Sequence, residues 1–70
     1  MDKAKYKVAT EIKRCELNMA INENKPIDVI NSIAEEILRL ADGKYELSEI
    51  LDSVAYKKYL EYLEKLAHIS

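Results

Sequence analysis

The residue types most often used in catalysis and metal binding are scarce in this sequence and lie far apart. Cys15 and His68 are its one cysteine and one histidine, and a Cys–His nucleophile pair also needs a third group to orient the base. Glu35 and Glu36 are adjacent, so on a helix their carboxylates point about 100° apart and cannot act together. No Cys/His cluster, glycine-rich loop or spaced acidic loop offers a site for zinc, phosphate or calcium. We therefore expect no enzyme activity, catalytic residue, cofactor, metal or small-molecule substrate.

Aromatic side chains interleaved with lysines form a second pattern that could carry a function. Tyr56, Tyr59 and Tyr62 lie among Lys57 and Lys58, and such a cluster can stack nucleic-acid bases. Tyrosines at helical spacing are more often in a core or an interface, with the hydroxyl at the wet edge. We favour the second interpretation, in which Tyr59 belongs to the core and Tyr62 faces a partner.

The composition favours one small helical domain. The chain has 70 residues, of which 49% are hydrophobic and 34% charged, with one glycine and one proline. So few turn residues argue against strands and favour helix throughout. A core of this size is marginal for a monomer, so self-association is expected. The predicted fold class is all-α, a compact bundle of three or four helices.

Cysteine content and hydropathy indicate the compartment. A single cysteine cannot form an intramolecular disulfide, and the N-terminal residues carry charges every few positions, unlike a secretory signal. No apolar run approaches the roughly 20 residues of a membrane span. We expect a cytoplasmic protein without a membrane partner.

The first predicted helix covers about residues 3–23 and has two apolar strips. The more regular strip repeats at spacings of four, three and four and is predicted to be the buried face; it consists of Val8, Ile12, Cys15 and Met19. The weaker strip indicates either a wider buried face or an oligomer contact. We assign the weaker strip to a homodimer interface, formed by Tyr6, Leu17 and Ile21.

The remaining helices are predicted at about 28–42, 47–53 and 55–68. Pro26 ends the preceding turn, and Gly43 is the expected C-cap of the second helix. The apolar stripe changes sides near residues 52–55, so the last segment is either one helix that is apolar nearly all round or two helices. We favour a break with Asp52 or Ser53 as the new N-cap. The predicted core is Val8, Ile12, Met19, Ile30, Ile33, Ile37, Leu40, Leu47, Ile50, Leu51, Leu60, Leu63 and Leu66.

Residues 37–70, about half the chain, resemble the winged helix-turn-helix DNA-binding regulators, without the wing. The segments that carry the resemblance are ILRLADGKYELSEIL and YKKYLEYLEKLAHIS. The matching residues are Ile37, Leu38, Leu40, Ala41, Gly43, Leu47, Ser48, Glu49, Ile50, Tyr56, Tyr59, Leu60, Leu63, Lys65, Leu66 and Ile69. The resemblance implies a helix-turn-helix C-terminal half and a role in transcription regulation, with Tyr56, Lys57 and Lys58 reaching phosphates or base edges.

Charge is distributed unevenly, and this leaves two classes of partner open. The net charge is −2, but the basic residues are concentrated near the N-terminus and the acidic ones between residues 26 and 53. If the partner is DNA, Lys3, Lys5 and Lys7 would meet phosphates together with Lys57 and Lys58. The alternative is a protein-binding module, such as an immunity factor, an antitoxin or a phage- or plasmid-type inhibitor. Its acidic helical face would be formed by Glu35, Glu46 and Glu49.

Overall fold

The computed structural model describes residues 3–69 as five helices, with no strand in that range. The helices are α1 (Lys3–Ala9), α2 (Glu11–Asn22), α3 (Ile27–Leu40), α4 (Leu47–Ile50) and α5 (Ser53–Ile69). The all-α prediction is confirmed. Helices α1 and α2 follow one another with a single residue between them, and we call the pair the N-terminal arm. The arm packs mainly on α3 through α2, while α1 also contacts α4 and α2 also contacts α5.

Thr10 interrupts the arm, which the sequence predicted to be one helix. Its backbone lies at φ −99° and ψ 2°, and its side chain is fully buried. The hydroxyl donates a hydrogen bond to the carbonyl of Tyr6 at 2.7 Å. In an unbroken helix, the Lys7 carbonyl would accept the backbone N–H of Glu11. Here it accepts a hydrogen bond from the Arg14 guanidinium at 2.6 Å instead. Such back-bonding by threonine competes with regular helix geometry, and here α1 ends at Ala9 and α2 begins at Glu11.

The arm buries the face that the sequence did not favour. Tyr6 and Leu17 are 2% and 1% exposed, and Ala20 is buried beside them. Val8 and Ile12 are 73% and 77% exposed. The core assignment of Val8, Ile12 and Met19 is therefore wrong, because the opposite side of the arm faces α3, α4 and α5.

Left-handed residues end two of the helices in the same way. After α2, Asn24 adopts φ 56°, and the Lys25 N–H bonds the Ala20 carbonyl while the Asn24 N–H bonds Ile21. This pattern is the Schellman motif, which satisfies the last carbonyls of a helix.

The second Schellman motif corrects the predicted cap of α3. Asp42, with φ 57°, takes the left-handed position after the helix. Gly43, expected there, lies one residue further on with φ 67°, and its N–H bonds the Leu38 carbonyl at 3.0 Å.

The predicted break between the last two helices is present. Helix α4 ends at Ile50, and α5 begins at Ser53. The Asp52 carboxylate accepts the backbone N–H of Ala55 at 2.8 Å, which makes Asp52 the N-cap of α5. The short α4 is held by the Glu49 carboxylate, which accepts the backbone N–H of Glu46 at 3.1 Å.

The core forms where the arm, α3, α4 and α5 meet. Its buried apolar members are Tyr6, Leu17, Ala20, Ile30, Ala34, Ile37, Ala41, Ile50, Leu51, Tyr59 and Tyr62. Half-buried side chains pack around it, including the predicted Ile33, Leu47, Leu63 and Leu66. Leu40 and Leu60 are exposed instead, because the buried faces of α3 and α5 are centred on Ile37 and Tyr59. Tyr59 is in the core as predicted, whereas the partner-facing assignment of Tyr62 is wrong.

Candidate functional site

The predicted DNA-contacting residues of α5 lie near its N-terminal end. Lys57 and Lys58 are exposed, but Tyr56 is half-buried, with its ring stacked on Tyr59 at a centroid separation of 6.4 Å. Tyr56 is thus engaged in packing. Glu61 follows one helical turn after Lys57 and is also exposed, so the solvent face of α5 has mixed charge. Such a face attracts phosphate less than a uniformly basic one.

The lysines of the arm and those of α5 lie on different helices. Lys3 and Lys5 are exposed and Lys7 is half-buried, all on α1. Lys58, by contrast, lines an open groove of about 220 Å³ together with Asn18 of α2. Asn18 follows Lys5 by about 20 Å along the arm at 1.5 Å per residue. The two groups of lysines are therefore spaced along the arm and do not form one cluster.

The groove beside Lys58 is polar and is formed where α5 begins against the C-terminal half of α2. Its lining residues are Asn18, Asn22, Asp52, Val54, Ala55 and Lys58. The one carboxylate in it, Asp52, already accepts a backbone N–H as the N-cap of α5. The groove thus offers amides and one ammonium group to solvent.

The predicted acidic face is exposed, but two of its three members have a structural role. Glu35, Glu46 and Glu49 are all exposed. The Glu49 carboxylate holds the start of α4 by accepting the backbone N–H of Glu46, so Glu46 takes part through its backbone. Of the three carboxylates, that of Glu49 is the one engaged in this hydrogen bond.

Glu36, next to Glu35, joins α3 to the arm instead of facing solvent alone. Its carboxylate lies 3.0 Å from the Lys13 ammonium, which also lies 3.0 Å from Glu16. Hydrogen bonding to Lys13 lowers the pKa of Glu36 from its ordinary value of 4.5. The same contact, followed by that with Glu16, raises the pKa of Lys13 above 10.5. Arg39 adds a weaker pair with Glu36 at 3.5 Å.

The residues predicted to form the dimer interface are inside the chain. Tyr6 and Leu17 are buried and Ile21 is half-buried against the core. The Tyr6 ring packs on Tyr45 at 5.5 Å between centroids. Burial, followed by a hydrogen bond to the Asp42 carboxylate, raises the pKa of Tyr6 above 10.0. The assignment of Tyr6, Leu17 and Ile21 to an intermolecular contact is wrong, because these side chains build the intramolecular contact of the arm.

The opposite side of the arm carries an exposed apolar surface. Four exposed residues at spacings of four, three and four lie along the solvent side of the arm. They are Val8, Ile12, Cys15 and Met19, and we call this surface the outer stripe. Thr10 is on the opposite, buried side, so the interruption between α1 and α2 does not lie within the stripe. The sequence signal for the stripe is strong, but the same regular spacing predicts a buried face as readily as an exposed one.

None of the helices between residues 3 and 69 combines the length and apolar character that a membrane span requires. Within those same residues, no three side chains of His, Cys, Asp or Glu cluster as metal ligands. Comparison of the chain with protein-family models, with curated proteins and with solved structures gives no match. The resemblance to winged helix-turn-helix regulators therefore stays a hypothesis.

Proposed function

We propose that the protein is a non-catalytic helical module that binds a protein partner through the outer stripe. The observation that carries the proposal is the exposure of Val8, Ile12 and Met19 on one side of the arm. Large apolar side chains scattered singly over a surface are ordinary. A contiguous apolar row rimmed by polar residues is typical of an interaction site.

The fold does not need the outer stripe for its own stability, which supports a role in binding. The core closes on the opposite face of the arm around Leu17 and Ala20. Among the described side chains, no buried nitrogen or oxygen lacks a hydrogen-bond partner. The apolar residues of the stripe therefore gain burial only when a second molecule covers them.

Substitution of one residue in the stripe tests this proposal. Ile12→Glu places a carboxylate in the centre of the stripe, and Val54→Glu is the matched control, because Val54 is 64% exposed on another helix. Circular dichroism should show both variants folded. We expect protein association, either with other proteins captured from the source cell or with the chain itself, to be lost in Ile12→Glu and kept in Val54→Glu. Association that both variants keep would overturn the proposal.

Charge reversal distinguishes binding through the outer stripe from binding through the acidic face. The double variant Glu35→Lys, Glu46→Lys changes the acidic face and keeps both the arm and the Glu49 carboxylate that holds the start of α4. Under the present proposal this variant still associates. Loss of association in this double variant alone would transfer the binding surface to the acidic face.

DNA binding by a helix-turn-helix regulator is the second candidate. It is favoured by the separation of α4 from α5 and by the exposed Lys57 and Lys58 near the start of α5. It ranks second because Glu61 lies on the same solvent face as Lys57 and Lys58, and the lysines of α1 lie on a separate helix. Electrophoretic mobility at low and moderate salt tests it, since phosphate contacts are salt-dependent. Salt-sensitive retention that Lys57→Glu/Lys58→Glu abolishes and the control Lys65→Glu keeps would support it; no retention at micromolar protein rejects it.

A further inference from the structure

We infer that the partner covering the outer stripe is a second copy of this chain, with the two arms antiparallel about a two-fold axis between residues 13 and 14. This inference rests on the proposed function and names its partner. It follows from three features of the arm: the spacing of the stripe, the side-chain sizes that the spacing brings together, and the charges on either side of it.

The spacing of the outer stripe is the same in both directions. Intervals of four, three and four residues match a seven-residue repeat, and they read identically from either end. An antiparallel two-fold pair therefore places Val8 level with the partner's Met19, and Ile12 level with the partner's Cys15. Each chain contributes the same surface, as a two-fold interface requires.

Side-chain size agrees with this register. The larger Ile12 meets the smaller Cys15 of the partner subunit, and the flexible Met19 meets Val8 of the partner subunit. Alternation of large and small side chains across facing layers allows close packing. A parallel pair would instead set Ile12 against the partner's Ile12 and Cys15 against the partner's Cys15, in layers of unequal size.

Charges beside the outer stripe select the antiparallel orientation. In a parallel pair, the flanking position of Glu11 lies beside that of the partner's Glu16, so two carboxylate pairs would repel each other across the dimer. In the antiparallel pair, Glu11 lies beside the partner's Asn18 and Glu16 beside the partner's Ala9.

The size of the outer stripe sets the strength of the dimer. Four side chains from each copy cover much less than the roughly 1,200–2,000 Å² that stable complexes bury. The arm, from Lys3 to Asn22, is about 30 Å long at 1.5 Å per residue, so the contact cannot extend far beyond the stripe. Association is therefore in the micromolar range or weaker, and it is concentration-dependent.

Disulfide trapping tests the orientation directly. Two variants are made, Val8→Cys/Cys15→Ser and Met19→Cys/Cys15→Ser, and each is oxidised alone and mixed with the other. In the antiparallel pair, positions 8 and 19 of opposite chains are level, whereas two copies of position 8 are about 16 Å apart, beyond the reach of a disulfide. We expect a covalent dimer in the mixture and none in either variant alone.

The alternative outcomes overturn the inference in separate ways. A dimer from Val8→Cys/Cys15→Ser alone would indicate parallel pairing. No dimer in the mixture, or a yield no higher than that of Val54→Cys/Cys15→Ser mixed with Met19→Cys/Cys15→Ser, would indicate that the stripe does not pair with itself.

Sedimentation equilibrium separates this inference from the proposed function. The wild type and Val54→Glu should dimerise with the same dissociation constant, and Ile12→Glu should raise that constant by about tenfold or more, because a carboxylate enters an apolar layer. A wild type that stays monomeric at all concentrations, but captures another protein in a manner that Ile12→Glu abolishes, would reject the second copy and leave the proposed function standing.

Discussion

The hydroxyl of Tyr62 in α5 donates a hydrogen bond to the backbone carbonyl of Lys25, in the turn between α2 and α3. The Tyr62 ring is buried in the core at the same time. One side chain thus supplies apolar contact and also satisfies a carbonyl in the left-handed turn at Asn24. The contact fixes α5 against the junction of the arm and α3.

Replacement of Tyr62 by Phe should destabilise the protein by about 1 kcal/mol, since the ring remains and one part-buried hydrogen bond is lost. Tyr56→Phe is the control, because Tyr56 is half-buried and stacked on Tyr59 without a comparable bond to the backbone. Urea unfolding followed by circular dichroism measures both free energies. Equal stability of Tyr62→Phe and the wild type would contradict the structural role of this hydroxyl.

The two faces of the arm should respond very differently to truncation. Leu17→Ala removes a fully buried side chain and should cost about 2–4 kcal/mol of unfolding free energy. Ile12→Ala removes a side chain that is 77% exposed, and its effect should stay within about 0.5 kcal/mol. The measurement is urea unfolding at a protein concentration below that of self-association. The reverse ranking would restore the core that the sequence predicted.

The wrong assignment of the buried face shows how much of the fold apolar periodicity can predict. Apolar spacing predicted the helices, because periodicity is a property of the chain itself. Periodicity did not identify the buried face, because burial depends on what a face packs against. On the arm, the exposed residues Val8, Ile12 and Met19 form the more regular apolar row. The buried residues Tyr6, Leu17 and Ala20 are spaced less regularly. The interruption at Thr10 could not be predicted either, because it depends on the buried Thr10 hydroxyl, which donates a hydrogen bond to the Tyr6 carbonyl.

Local capping chemistry was more predictable than the candidate site. The role of Asp52 as N-cap follows from a short carboxylate three residues before the N–H that it accepts. Lys57 and Lys58 are exposed, as contact with a partner requires, while their assignment to DNA stays a prediction. The interaction surface was not predicted, because a stripe that contacts a second molecule and a stripe that contacts the core have the same sequence pattern.

The left-handed turn after α2 provides a test of backbone strain. Asn24→Ala should destabilise the protein by about 1 kcal/mol, because alanine lacks the tolerance of asparagine for φ 56°. Asn24→Gly should be neutral or stabilising, since glycine enters this region without steric cost. Asn18→Ala is the control at an exposed position inside α2, where alanine is favoured. Thermal unfolding of the three variants gives the ranking, and a neutral Asn24→Ala would contradict the Schellman motif.

The Lys13–Glu36 pair predicts a pH dependence with a definite sign. The pKa of Glu36 is lowered from 4.5, so its contribution to stability is present above that pH and is lost as the pH falls through the folded-state value. The pKa of Lys13 is raised above 10.5, so its contribution is present below that pH and is lost in more alkaline solution. Glu36→Gln should therefore reduce stability across neutral pH and match the wild type in strong acid. The control Glu35→Gln, at the exposed neighbour, should have the same stability as the wild type at every pH. The measurement is the free energy of unfolding from acid to neutral pH. If Glu36→Gln stayed less stable than the wild type by a constant amount into strong acid, the ion pair would not be the cause of the difference.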